Sequence, residues 1–151
     1  MALRMLERRG MSSCIEESGA RNNIEYVRTL DSMIVIINDG KVNIDAVKTI
    51  MALAKSDKEL VILIHANSVT SDAKQVLSRL QQIHRFTFDE MAFDLISVVP
   101  KHSLVETRPK EWTKFPTILS SDIVSRYYGF KKGDVIRVEE DDGTISYKKC
   151  V

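Results

Sequence analysis

Hydrophobic positions before Pro100 fall into two kinds of run. Met33-Ile34-Val35-Ile36-Ile37 and Leu60-Val61-Ile62-Leu63-Ile64 are unbroken and rich in β-branched side chains, as strands buried on both faces are. Asn38-Asp39-Gly40 supplies turn chemistry after the first of them. Between the two, Ile44, Val47, Ile50, Met51 and Ala54 recur at helical spacing, with Asn43 placed to cap the first turn. This β-helix-β order, with a crossover of helix length, predicts two parallel neighbouring strands joined right-handedly. The helical period returns over Thr70–Ile83 through Ala73, Val76, Leu77, Leu80 and Ile83, behind the candidate caps Thr70, Ser71 and Asp72. Shorter signals predict a helix over Leu3–Arg9 stopped by Gly10 and a strand over Ile24–Thr29 leading into an Asp31-Ser32 turn. They also predict a brief strand around Phe86 and Phe88, a helical turn at Asp89–Ala92 and a strand over Leu95–Val99.

The pattern changes after Pro100. Lys101 to Phe115 is polar and punctuated by Pro109, Trp112 and Pro116, which reads as a linker in which Trp112 serves as an anchor. A helix is expected within Ser120–Tyr128, capped by Ser121-Asp122 and carrying Ile123, Val124 and Tyr127. Gly129 suits its left-handed termination. Lys131-Lys132-Gly133-Asp134 then turns the chain into Val135–Val138, and Asp142-Gly143 reads as the hairpin turn before Thr144–Tyr147. The expected organisation is α+β, with a first domain over 1–100, a linker over 101–116 and a small C-terminal domain over 117–151. A helix and hairpin of this size have little core of their own, so they are expected to lie against another surface and to offer a strand edge to a partner.

Composition narrows the classes only a little. At 151 residues and 44% hydrophobic content the chain can bury an ordinary core. Lys and Arg total 22 against 21 acids, and the +1 net charge gives no general attraction to nucleic acid or an anionic membrane. Before Pro100, 12 basic minus 13 acidic residues give −1; from Pro100 onward, 10 minus 8 give +2, so neither half is a bulk basic patch. Cys14 and Cys150 sit at opposite ends and read as free thiols, and the charged N-terminal stretch lacks the apolar run of a signal peptide. A reducing compartment is therefore expected.

Candidate chemistry is sparse. His65, His84 and His102 are scattered, and no HxH, HExxH, CxxC, GxSxG or P-loop string occurs. Asp31 with Asp39-Gly40-Lys41 loosely imitates the signature of Mg²⁺-dependent nucleases, in which two acids and a lysine converge on a metal. A small nuclease using Asp31, Asp39 and Lys41 is thus the alternative reading, although Asp39-Gly40 looks like a turn where that chemistry needs strand positions. The acidic run Glu139-Glu140-Asp141-Asp142 reads as a solvated loop, and Met33, Met51, Met91, Phe86, Phe88 and Phe93 read as core packing.

The C-terminal string SSDIVSRYYGFKKGDVIRVEEDDGTISYKKCV resembles the assembly domain of the fifth-largest subunit shared by eukaryotic RNA polymerases I, II and III, and of its archaeal counterpart, which lacks the jaw domain. Asp122, Val124, Tyr128, Gly129, Lys131, Gly133, Val135, Tyr147, Lys148 and Cys150 fit that family's pattern. Val98–His102 matches the segment joining the family's two domains, and Asn67–Gln75 resembles a passage of its jaw domain. The resemblance covers Met33–Val151. Ile123 stands where the family has proline, the spacer between His102 and Pro116 is shorter, and the hairpin is more acidic.

The resemblance implies a non-catalytic polymerase subunit with no catalytic residue, cofactor or metal. Its first domain would be a jaw with a restriction-nuclease-like fold lacking an active site, beside downstream DNA. Its C-terminal domain would dock on the largest subunit through Asp122, Val124, Tyr127, Tyr128, Gly129, Lys131, Gly133, Val135 and Tyr147. DNA contact would be to phosphates and non-specific, with Thr70, Lys74 and Arg79 as the nearest candidates. The expected location is the nucleus, or the cytoplasm for a viral member.

Overall fold

The computed structural model describes residues 1–37, 40–66, 68–92 and 94–151, and these form two units, Met1–Phe93 and Asp94–Val151. The expected Asn38-Asp39-Gly40 turn lies largely outside the described residues, as does Asn67.

The first unit opens with helix α1 (Ala2–Arg8), which buries Met5 and Leu6. Gly10 takes φ 71° as the chain leaves it, and the Met11 N–H returns to the Leu6 carbonyl at 2.9 Å. Strands β1 (Ile15–Arg21) and β2 (Ile24–Thr29) then form an antiparallel hairpin. Its two-residue turn, Asn22-Asn23, has φ 51° and 62°, the positive pair that a type I′ turn needs and asparagine tolerates. β3 (Ser32–Ile37) pairs antiparallel with β2. After it come α2 (Ile44–Leu53), β4 (Leu60–His65), α3 (Ser71–Leu77), β5 (Ile83–Thr87) and α4 (Phe88–Ala92).

The sheet runs β1-β2-β3-β4-β5, with β3, β4 and β5 parallel. The unbroken apolar runs are buried because both faces are covered. On one, Met33, Val35, Ile37, Val61 and Leu63 meet Val47 and Ile50 of α2 and Ala73 and Leu77 of α3. Alternation turns Ile34, Ile62 and Ile64 to the other face, where Ile34 and Ile64 line a groove with Leu3, Phe88 and Met91 from α1 and α4. Truncating Ile50, fully buried between α2 and the sheet, to alanine costs about 2–5 kcal/mol. The buried Arg28 is tied to Glu59 and, at 2.6 Å, to the Leu53 carbonyl, which pins the end of α2 to β2.

Two readings of this unit need correction. The helix expected over Thr70–Ile83 stops at Leu77; the Leu80 N–H closes a tighter turn on Leu77 O, and Ile83 begins β5 beside Val61. The edge strand β1 was not anticipated, because its residues are almost all exposed and carry no apolar alternation.

The second unit also departs from expectation. Leu95–Val99 is a 3-10 turn over Leu95–Ser97, held by Ser97 N–H to Asp94 O at 3.0 Å, and among the described residues no strand pairs with it. The polar stretch read as a linker contains β6 (Lys101–Leu104), a second 3-10 turn (Trp112–Lys114), and then β7 (Thr117–Ile118) directly after Pro116. Helix α5 (Ile123–Tyr128) and the hairpin β8 (Val135–Glu139) and β9 (Ile145–Cys150) follow as expected. The sheet order is β6-β8-β9-β7, with β6 and β8 antiparallel and β7 parallel to β9. The hairpin is therefore interior to its sheet. Ile136, Val138 and Cys150 form its small core, with Ile118 and Phe130 packed on it. Among the described residues, no helix is long and apolar enough to cross a membrane.

Candidate docking site

The second unit is built around the end of α5. Asp122 caps the helix by accepting the Val124 N–H at 2.8 Å. Gly129 ends it at φ 75°, and the Phe130 N–H reaches back to Ser125 O at 2.9 Å, satisfying carbonyls the helix leaves open. Lys131 to Asp134 closes on itself, with Lys131 N–H to the Asp134 carboxylate at 2.7 Å and Asp134 N–H to Lys131 O at 3.0 Å. Gly133 has φ 90°, where any side chain is strained.

An aromatic stack fixes this end of the helix. Tyr128 lies flat on Phe130 (centroids 5.3 Å, 4° between planes), meets Tyr127 edge-on (5.5 Å, 67°) and tilts against His102 of β6 (5.8 Å). His102 is buried, and its Nδ1 bonds the Pro100 carbonyl at 2.6 Å. Burial is the main force pushing the His102 pKa below its ordinary value, against the opposing pull of that carbonyl. Burial likewise pushes the Cys150 thiol up, opposed by the neighbouring Ser125 hydroxyl.

The residues expected to touch a partner separate into two sets. Tyr127 and Val135 are buried within the unit, Asp122 and Gly129 shape the helix ends, and Gly133 shapes the turn into β8. These five build the surface. Lys131 and Tyr147 reach it, and Val124 and Tyr128 are half-buried. Tyr147 stacks on Phe115 (5.4 Å, 21°), and the spacer is fastened further by Lys149 Nζ to Thr113 O at 2.5 Å. Arg108 sits over the Trp112 ring at 4.9 Å, a cation contact within the spacer itself.

Sequence reading missed the exposed apolar residues Leu119, Ile145 and Val151. The alternation Ile145-x-Tyr147-x-Lys149-x-Val151 was the signal for Ile145 and Val151, interrupted by Lys149. The acidic run is an ordered turn: Asp142 accepts the Thr144 N–H at 2.8 Å, which holds its carboxyl below the usual range, and Glu139 pairs with Arg137 at 2.6 Å.

The nuclease set does not assemble. Asp31 precedes β3 and accepts the Ser12 N–H at 3.0 Å, whereas Lys41 follows the other end of that strand, roughly 20 Å away by strand rise. Asp39 lies outside the described residues, and β3 itself carries no acid. The three histidines are in separate environments: His65 against Ala66 O, His84 against Arg9 and His102 in the second unit. Of the DNA-facing candidates, Thr70 caps α3, Lys74 is exposed on it, and Arg79 lies in the turn beyond its end.

Residues 92–148 match the family model for RNA polymerase Rpb5, C-terminal domain. An uncharacterised protein, 028R, of Frog virus 3 is 40% identical over 88 residues, covering 54% of each chain. The Dictyostelium discoideum protein named DNA-directed RNA polymerases I, II, and III subunit rpabc1 is 27% identical over 143 residues, 80% of this chain and 73% of that one. A putative DNA-directed RNA polymerase subunit, 454R, of Invertebrate iridescent virus 6 is 24% identical over 115 residues, 76% of this chain and 59% of that one. The chain thus spans about half the length of the Frog virus 3 protein and about three-fifths of the iridescent virus protein.

Proposed function

We propose, from the premise that residues 92–148 are an RNA polymerase Rpb5 C-terminal domain, that this chain is a non-catalytic subunit of a DNA-directed RNA polymerase. The second unit docks on the largest subunit, and the first serves as a jaw beside downstream DNA. The observation that carries the reading is the capped helix, left-handed Gly129 stop and Lys131–Asp134 turn feeding a hairpin that β6 flanks, at the segment the family model matches.

The finer reading follows from it. In a cellular polymerase the chain would be shared among polymerases I, II and III and act in the nucleus; in a viral polymerase it would also act in the cytoplasm. Its DNA contact would be to phosphates, with Thr70, Lys74 and Arg79 as candidates, and no observation favours the nuclease reading.

Expression of the tagged chain in its source cell tests the proposal. Polymerase subunits identified by mass spectrometry are expected to co-purify, and Gly133→Val, which strains a φ 90° turn, is expected to abolish that association. A polymerase that is stable and fully active without this chain would overturn the reading.

A further inference from the structure

We draw no further inference here: the strongest candidate, the apolar groove that α1 and α4 leave on the first unit's sheet, lined by Leu3, Val27, Ile34, Ile64, Phe88 and Met91, is an unpartnered face, and nothing in the structure shows what covers it.

Discussion

His102 shows how one residue links a polar segment to a core. It comes from the stretch that composition marks as linker, yet its ring is buried against Tyr128 and its Nδ1 bonds Pro100 O. Burial depresses its folded-state pKa below the ordinary value near 6.5, with Lys148 adding to the effect and the Pro100 bond, Glu140 and Asp122 opposing it. The unfolded chain then binds the proton more readily than the folded one. The stability that His102 contributes is therefore full above about pH 6.5 and is lost as pH falls toward the lower folded value. Denaturant midpoints of the second unit are expected to drop between neutral pH and about pH 5.5, and His102→Gln is expected to flatten that slope. Asp142 and Glu139, whose pKa values are depressed by the Thr144 N–H and by Arg137, lose their contribution at lower pH, below the ordinary carboxylate range. The two windows are separable, and a variant with an undiminished slope near pH 6 would remove His102 as its source.

At the scale of elements, the end of α5 is set by a single backbone conformation. Gly129 sits at φ 75° and lets the Phe130 N–H return to Ser125 O, which also lays Phe130 under Tyr128. Alanine in the left-handed region costs about 1–2 kcal/mol. Gly129→Ala is therefore expected to lower the thermal midpoint of the second unit by several degrees, measured by circular dichroism; no shift would show that another interaction sets the turn. This helix, its Asp122 cap and its glycine stop were legible in the sequence because their determinants are local. So were β3 and β4, whose apolar runs are unmixed, and α2, whose apolar residues keep a helical period behind the Asn43 cap. β1 was hidden for the opposite reason: its one-sided, solvent-facing residues include Gly19, which Tyr26 of β2 covers across the hairpin. The strand at Lys101–Leu104 was hidden because only pairing with β8 makes it a strand, and no pattern within KHSL reports a partner more than thirty residues away. The docking candidates follow the same rule. Local spacing marked Asp122 and Gly129 as cap and stop, whereas the stacking of Tyr147 on Phe115 depends on where Pro116 brings the chain to β9.

For the whole molecule, the placement of β6 decides what a functional fragment must contain. A boundary drawn from composition puts 101–116 in a linker and leaves 117–151 to dock alone. In the structure, β6 supplies four paired residues to one side of β8, and Val105 N–H extends that pairing to Val135 O at 2.9 Å. His102 from β6 also completes the aromatic stack over α5. Without these residues β8 becomes an unguarded edge, and a core resting on Ile136, Val138 and Cys150 is too small to offset chain entropy. A fragment spanning 94–151 keeps both. It is expected to give a dispersed amide spectrum, to unfold cooperatively and to co-purify with polymerase, whereas 117–151 is expected to remain unfolded or to aggregate. The first unit enters by contrast: its sheet and the α2 and α3 packing are complete within residues before Asp94, so 1–93 is expected to fold and yet fail to co-purify. Co-purification of 1–93 alone would move the docking site to the other unit. A well-folded 117–151 would show that β6 is dispensable and that the linker reading of 101–116 was sound.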